Sequence, residues 1–274
     1  MKYYFSIFFT LSVVFNINVF GQCTIKYKPF KSGEVANYQA FYNWGFIWIH
    51  AGNVQFTTSE KDFRNESSYH FEASGTSLTN YDWLYKVRDK YQSYVDKETL
   101  LPAYFERNTY EGGYKAYEQY NFNYPQKKIF GIIENNDVPR TKDTLALSTC
   151  TFDVLSAIYF CRSLDFANLK INERMPITTI IDNKIYNLYF RFLGKETIEN
   201  RDKKKYRCYK FSALMVEGTI FKGGEDIMVW VTDDENRVPI LVEAKILIGS
   251  IKAYYTGATG LKYPVTSLVS STSK

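Results

Sequence analysis

Thr151 to Asn168 reads TFDVLSAIYFCRSLDFAN. Beyond Gly21 it is the only long segment whose pattern is helical rather than strand-like. Val154, Leu155, Ala157, Ile158, Tyr159, Phe160 and Cys161 leave almost no polar face. A helix that is apolar nearly all round is a buried one. Thr151 can cap its start, and Asp153 is placed favourably against the positive end of the helix dipole. The expectation is one helix, over about 151–168, wrapped or covered by a sheet.

Both flanks of that helix read as strands and tight turns. From Tyr38 the even positions Tyr38, Ala40, Tyr42, Trp44, Phe46 and Trp48 form an aromatic stripe. At period two such a stripe is a strand face packed on something apolar. Ala51-Gly52-Asn53 turns the chain, and strands follow over 54–59, 67–75 and 83–95. Segments 103–110 and 114–124 flank the turn Glu111-Gly112-Gly113. Tyr114, Ala116, Tyr120, Phe122 and Tyr124 share a face, and Glu118 falls on that same face. Residues 134–149 are polar and read as an irregular connection. After the helix, a hairpin is expected around Asp182-Asn183, with further strands to Tyr255 and a loose tail from Thr256.

Tight hairpins cannot join parallel neighbours, and a sheet of roughly a dozen or more strands must curl, split or close. The fold class is therefore mainly β: a large antiparallel curled sheet or barrel-like β domain with one buried helix. Composition agrees, since 18% of residues are aromatic and aromatic residues favour strands.

Met1 to Gly21 looks like an export signal, with Lys2 as the positive end and Tyr3 to Phe15 as the apolar core. Asn16 and Asn18 interrupt it too early for a membrane-spanning helix. Residues 22–274 then form a single β-rich domain, periplasmic or secreted. A lipid-anchored outer-membrane form through Cys23 is disfavoured, because Gln22 stands where a small residue is wanted. The other cysteines are Cys150, Cys161 and Cys208. Eleven helical steps would separate Cys150 from Cys161 by roughly 16 Å, against a limit of about 7 Å for a bridge. Cys161 reads as a small buried apolar side chain. A bridge from Cys150 to Cys208 stays open.

The sequence carries no catalytic constellation, so no catalytic residue is assigned and the chain reads as non-enzymatic. His50 and His70 lack partners at metal-ligand spacing, and neither a metal nor a cofactor is expected. There is no Gly-x-Ser-x-Gly elbow and no glycine-rich phosphate loop. Glu106 and Glu118 are the least implausible carboxylate pair for acid–base work on polysaccharide, and nothing in their spacing favours that use. The net charge of +5 is too mild to argue for nucleic acid. Two inward polar residues interrupt the apolar pattern: Glu118, and Arg162 at the end of the helix. A buried charge needs a partner, and Asp153, Asp165 or Glu118 itself would serve Arg162. The aromatic stripe reads first as core. In a barrel that encloses a cavity, Tyr42, Trp44, Phe46, Trp48, Glu118, Tyr120, Phe122 and Arg162 would line it.

These residues resemble a family. Gly33-Glu34, Tyr38, Trp44-Gly45 and Ala51-Gly52 look like the opening motif of bacterial exported proteins of domain-of-unknown-function family 3108. Asp89, Tyr91, Tyr94, Asp96, Leu101-Pro102 and Arg107 resemble its second block. Asp153, Leu155, Ser156, Tyr159 and Arg162 match its helix pattern, with Cys161 departing from the larger apolar residue expected there. Trp230, Asp233-Asp234, Arg237, Pro239, Gly249-Ser250 and Ala253 match its closing block. The resemblance implies a barrel-like envelope protein of Gram-negative bacteria and no assigned activity. A fainter likeness links the closing Trp, Asp and Pro to half-barrel lipoprotein carriers of the periplasm. The expected function is a non-enzymatic periplasmic binding protein for an apolar ligand such as a lipid or acyl chain. The alternative is a structural or adaptor domain of the envelope, with a filled core and a protein partner.

Overall fold

The computed structural model describes residues 25, 27–44, 47–148, 150–215, 223–246 and 249–269. The chain lays down β1 (Val35–Trp44), β2 (Ile47–Phe63), β3 (Glu66–Ser77), β4 (Arg88–Asp96), β5 (Pro102–Glu111), β6 (Tyr114–Asn123), β7 (Lys128–Asn135) and β8 (Thr141–Ala146). A short β9 (Thr151–Phe152) leads into α1 (Val154–Arg162). Then follow β10 (Arg174–Ile181), β11 (Lys184–Glu199), β12 (Lys205–Met215), β13 (Gly224–Thr232), β14 (Pro239–Lys245), β15 (Ser250–Thr259) and β16 (Leu268–Val269).

One sheet contains all the strands, and β1 lies inside it. From β1 the chain steps outward, strand by strand, to an edge at β8. It crosses through β9 and α1 to the opposite edge and returns as β10 to β15, which pairs with β1. Neighbours are antiparallel, except that β9 runs parallel to β10. The two-residue turns Arg64-Asn65, Gly112-Gly113 and Asp182-Asn183 all have positive φ. That is the backbone twist which continues two antiparallel strands without splaying them.

The helix lies against β3, β4 and β10. It is shorter than the pattern predicts, because Thr151 and Phe152 pair with Thr178 and Thr179 as strand. Asp153, not Thr151, is the cap: its Oδ1 accepts from Leu155 N at 2.9 Å and Ser156 N at 2.8 Å. Nor is the helix buried on every side. Leu155, Ser156, Tyr159, Phe160 and Arg162 point inward, whereas Ile158 is 40% exposed.

Three other expectations are corrected. Segment 83–86 is not strand; the chain turns through Thr79–Tyr81 and resumes pairing at Val87, which bridges to Glu111 just before β4 begins at Arg88. The polar stretch 134–149 contains β8, an edge strand whose side chains are almost all exposed, so no apolar alternation marked it. The tail is anchored: Arg207 N donates to Ser267 O at 2.9 Å, and β16 pairs with β12.

Candidate functional site

The concave face of β3 to β7 is built in rows. Phe71, Ser93, Phe105, Tyr120 and Gly131 stand opposite one another in successive strand pairs. Tyr159 of α1 stacks on Phe71, with ring centroids 3.6 Å apart and planes 4° apart. Phe30 meets both rings edge-on at 5.1–5.4 Å. Val95, Leu100, Phe122, Ile129, Leu155 and Ile180 complete this cluster. Fully buried aromatic side chains thus occupy the interior of this half of the sheet.

The next row is polar: Ala73, Tyr91, Arg107, Glu118, Ile133. Arg107 Nη2 donates to Glu118 Oε1 and to Asp182 Oδ1, both at 2.8 Å. Asp182 belongs to the β10–β11 hairpin, whose tip reaches across to β6, β7 and β8. There Asn183 N donates to the Tyr120 hydroxyl at 2.7 Å, and Asn183 Nδ2 to Asp143 Oδ2 at 2.8 Å. Side chains rather than strand pairing therefore join β10–β11 to the opposite edge of the sheet. Burial raises the Glu118 carboxyl to about 7, with Arg107 opposing and Asp182 adding. Farther along the same face, burial and the charge of Glu111 raise Asp89 to about 7.

A second polar cluster lies under the end of α1. Arg162 Nη1 donates to Glu34 Oε1 at 2.6 Å and Nη2 to Asn236 O at 3.0 Å. Its guanidinium lies 5.5–5.6 Å from the ring centres of Phe30 and Tyr159. Arg237 donates to the carbonyls of Arg162 (3.1 Å) and Leu164, closing the helix terminus. The Arg237 guanidinium is itself held between Tyr27 and Phe166. Asn236 clamps the tail through Tyr263 and Pro264. Arg162 thus pairs with Glu34, not with Asp153, Asp165 or Glu118. Asp153 instead accepts from Ser93 at 2.7 Å, and Glu118 pairs with Arg107.

The expected lining residues do not share one site. Phe46 and the side chain of Trp44 lie outside the described residues. Tyr42 is half-buried on β1 opposite Ile49, while Trp48 stands opposite Asn43, on the other face. Trp48 already belongs to β2, which pairs antiparallel with β1 and runs unbroken through Ala51-Gly52-Asn53, where the pattern predicts a turn, so the stripe cannot run on to Trp48. Glu118, Tyr120 and Phe122 do share the concave face, buried in the core, and Arg162 sits in the separate cluster with Glu34. Glu106 and Glu118 point to opposite faces, since Glu106 pairs with Gln119 and Arg107 with Glu118. His70 is buried among Gln92, Ser59 and the Tyr94 ring, and burial lowers its pKa. His50 stacks on Phe41. Among the described residues no cluster of three or more His, Cys, Asp or Glu could hold a metal ion. Cys150 is disulfide-bonded, while Cys161 and Cys208 are free, which removes the bridge to Cys208.

Two hollows stand out. One of about 160 Å³ lies beneath the tail, among Tyr206, Asn236, Ile240, Tyr255, Leu261 and Val265. The other is an open cleft of about 570 Å³ at the opposite end from the β5–β6 turn. Its walls mix Arg64, Glu66, Ser68, Asp96 and Asn123 with Phe63, Phe122 and Tyr124.

The residues meeting at Arg162 come from the first, third and fourth sequence blocks, and a family model for a protein of unknown function, DUF3108, matches residues 37–256. The chain belongs to the DUF3108 family. No curated protein matches it. Among solved structures it is similar to a β-barrel-like protein of domain of unknown function DUF1849 from Brucella abortus, at 7% identity and a TM-score of 0.52. The match covers 84% of this chain and 98% of that one. At that identity the likeness concerns the fold alone. For the DUF3108 chain, the resemblance between sequence blocks now has a physical counterpart: three of them meet to fasten the helix, the first strand and the tail together.

Proposed function

We propose that this DUF3108 chain is an exported, non-enzymatic structural or adaptor domain of the cell envelope, acting through its surface rather than by enclosing a ligand. The observation that carries the reading is the filled concave face, where the Tyr159–Phe71 stack and Phe30 take the volume an acyl chain would need. The 160 Å³ hollow is smaller than the roughly 300 Å³ at which ligand pockets begin. The polar groups that interrupted the apolar pattern are used in ion pairs, Arg162 with Glu34 and Arg107 with Glu118. The disulfide at Cys150 supports an oxidising compartment, as the signal-like N-terminus does.

A second reading, the apolar-ligand carrier, is favoured only by the size of the 570 Å³ cleft, and that cleft is open and largely polar. Titration with a fluorescent fatty acid tests between them. The proposal expects no saturable binding. One-to-one saturation, displaced by unlabelled fatty acid, would overturn it in favour of the carrier.

A further inference from the structure

The link from β3 to β4 carries Tyr81-Asp82-Trp83-Leu84-Tyr85-Lys86. Trp83 is 82% exposed, Leu84 58% and Tyr85 52%. The same chain buries Phe71 and Phe105 almost completely, so this cluster of apolar side chains in water is a feature to explain.

The link is well ordered by its own bonds. Leu84 N and Tyr85 N both donate to Tyr81 O, at 2.9 and 3.0 Å. Leu78 N donates to Ala51 O at 2.9 Å. Arg88 holds Asp82 with Nη2 to Oδ2 at 2.5 Å and Nη1 to Oδ1 at 3.2 Å. The neighbouring turn is shaped around the link: a Cβ on Gly112 would fall 2.2 Å from the Tyr85 ring. The apolar groups are therefore held outward on a braced base.

Antiparallel order brings the start of β2 and the β5–β6 turn to this same end of the sheet, with exposed Ile47, Trp48 and Tyr114. The patch carries charges of both signs. Asp82 is spent on Arg88, and Lys86, Lys90 and Lys115 are exposed, with no ion pair among the described residues. Glu111 lies beside Tyr85 and Asp137 beside Tyr114, and Asp89 is only partly charged at neutral pH, so the lysines leave a small positive excess.

We propose that this end of the domain docks on a phospholipid bilayer containing anionic lipid. Trp83 and Leu84 enter the interfacial layer, Tyr81 and Tyr85 sit at headgroup level, and Lys86 and Lys115 face the phosphates. Trp and Tyr favour that layer, and lysines beside them favour anionic headgroups. A membrane fits better than a protein partner because the apolar groups project from a turn tip with the unpaired Lys86 and Lys115 beside it. The inference rests on the surface-acting reading above.

The test is flotation of the protein as purified from a bacterial envelope, its N-terminus fixed by intact mass. Vesicles are phosphatidylcholine alone, or phosphatidylcholine mixed with phosphatidylglycerol. The readout is the difference between wild type and Trp83→Ser/Leu84→Ser, so any contribution from residues 3–15 cancels. The wild type should float with the anionic vesicles and less as salt rises, and the double variant should bind roughly tenfold more weakly. Lys86→Glu/Lys115→Glu should lose binding to the anionic vesicles by roughly the same factor. Melting curves of all variants should match the wild type, since the replaced side chains are exposed.

A wild type that does not float, or a Trp83→Ser/Leu84→Ser variant that floats equally well, overturns the proposal. So does a protein complex held through Trp83 without flotation. The fatty-acid titration stays independent: a chain that neither floats nor takes up fatty acid loses the docking surface alone.

Discussion

Arg162 at the end of α1 and Glu34 just before β1 form a buried ion pair at 2.6 Å, although 128 residues separate them in the chain. The pair ties the crossover helix to the strand at which the two runs of the sheet meet. Arg237 and Asn236 extend the tie to the β13–β14 turn and the tail.

Breaking that pair should be costly. Removing one partner strands a charge in a dry site, at about 3–5 kcal/mol. Arg162→Met and Glu34→Leu should each lose about that much in urea unfolding. The double variant should recover part of the loss, because no lone charge remains. Additive losses would mean that the two side chains do not depend on each other.

The helix makes a contrast available within four residues. Leu155 is 2% exposed and Ile158 40%. Leu155→Asp should abolish soluble expression, since the buried carboxylate has no partner. Ile158→Asp should stay folded, within about 1 kcal/mol of wild type. Soluble yield and melting temperature of the two variants check this, and loss of both would place Ile158 in the core.

Stability should fall as pH rises from about 4 to about 7. Asp89 and Glu118 both have folded pKa values raised to about 7 from ordinary carboxylate values. In that window the folded state holds more protons than the unfolded state, so each rise in pH favours unfolding. The contribution is fully present below the unfolded pKa and is lost as pH passes the folded one. Asp89→Asn should flatten the decline in melting temperature between pH 5 and pH 8; an unchanged slope would remove Asp89 from the account.

Thiol counting tests the cysteines. Burial pushes Cys161 and Cys208 up to about 12. Since the thiolate is the reactive form, the folded protein should react slowly with a thiol reagent. Unfolding without reductant should release two thiols per chain, and reductant should release the bridge at Cys150. Four thiols before reduction would contradict the bridge.

Much of the architecture was legible where neighbours in sequence are also neighbours in space. The alternation Ala116, Glu118, Tyr120, Phe122 gave the inner face of β6 with its one carboxylate, and Asp182-Asn183 gave a hairpin tip. The partners of the buried charges were not legible: Glu34 lies far from Arg162 in sequence, and local spacing pointed to nearer acids. Residues 83–85 were misread because Trp, Leu and Tyr suit a strand, and local propensity does not report that nothing packs on them. Strand β8 was missed for the converse reason, as Thr141 to Thr144 are exposed and carry no apolar period. The docking surface follows from exposure and from the antiparallel order that gathers separate turns at one end, and neither is written in a short window of sequence.

Side chains fill the interior, and native mass spectrometry of the protein purified from a bacterial envelope reads its occupancy outright. The account predicts the mass of the processed chain with one disulfide and nothing bound, and an organic extract free of stoichiometric lipid. A bound mass that extraction identifies as one lipid per chain would contradict it, and would show that the Tyr159–Phe71 stack yields to a ligand.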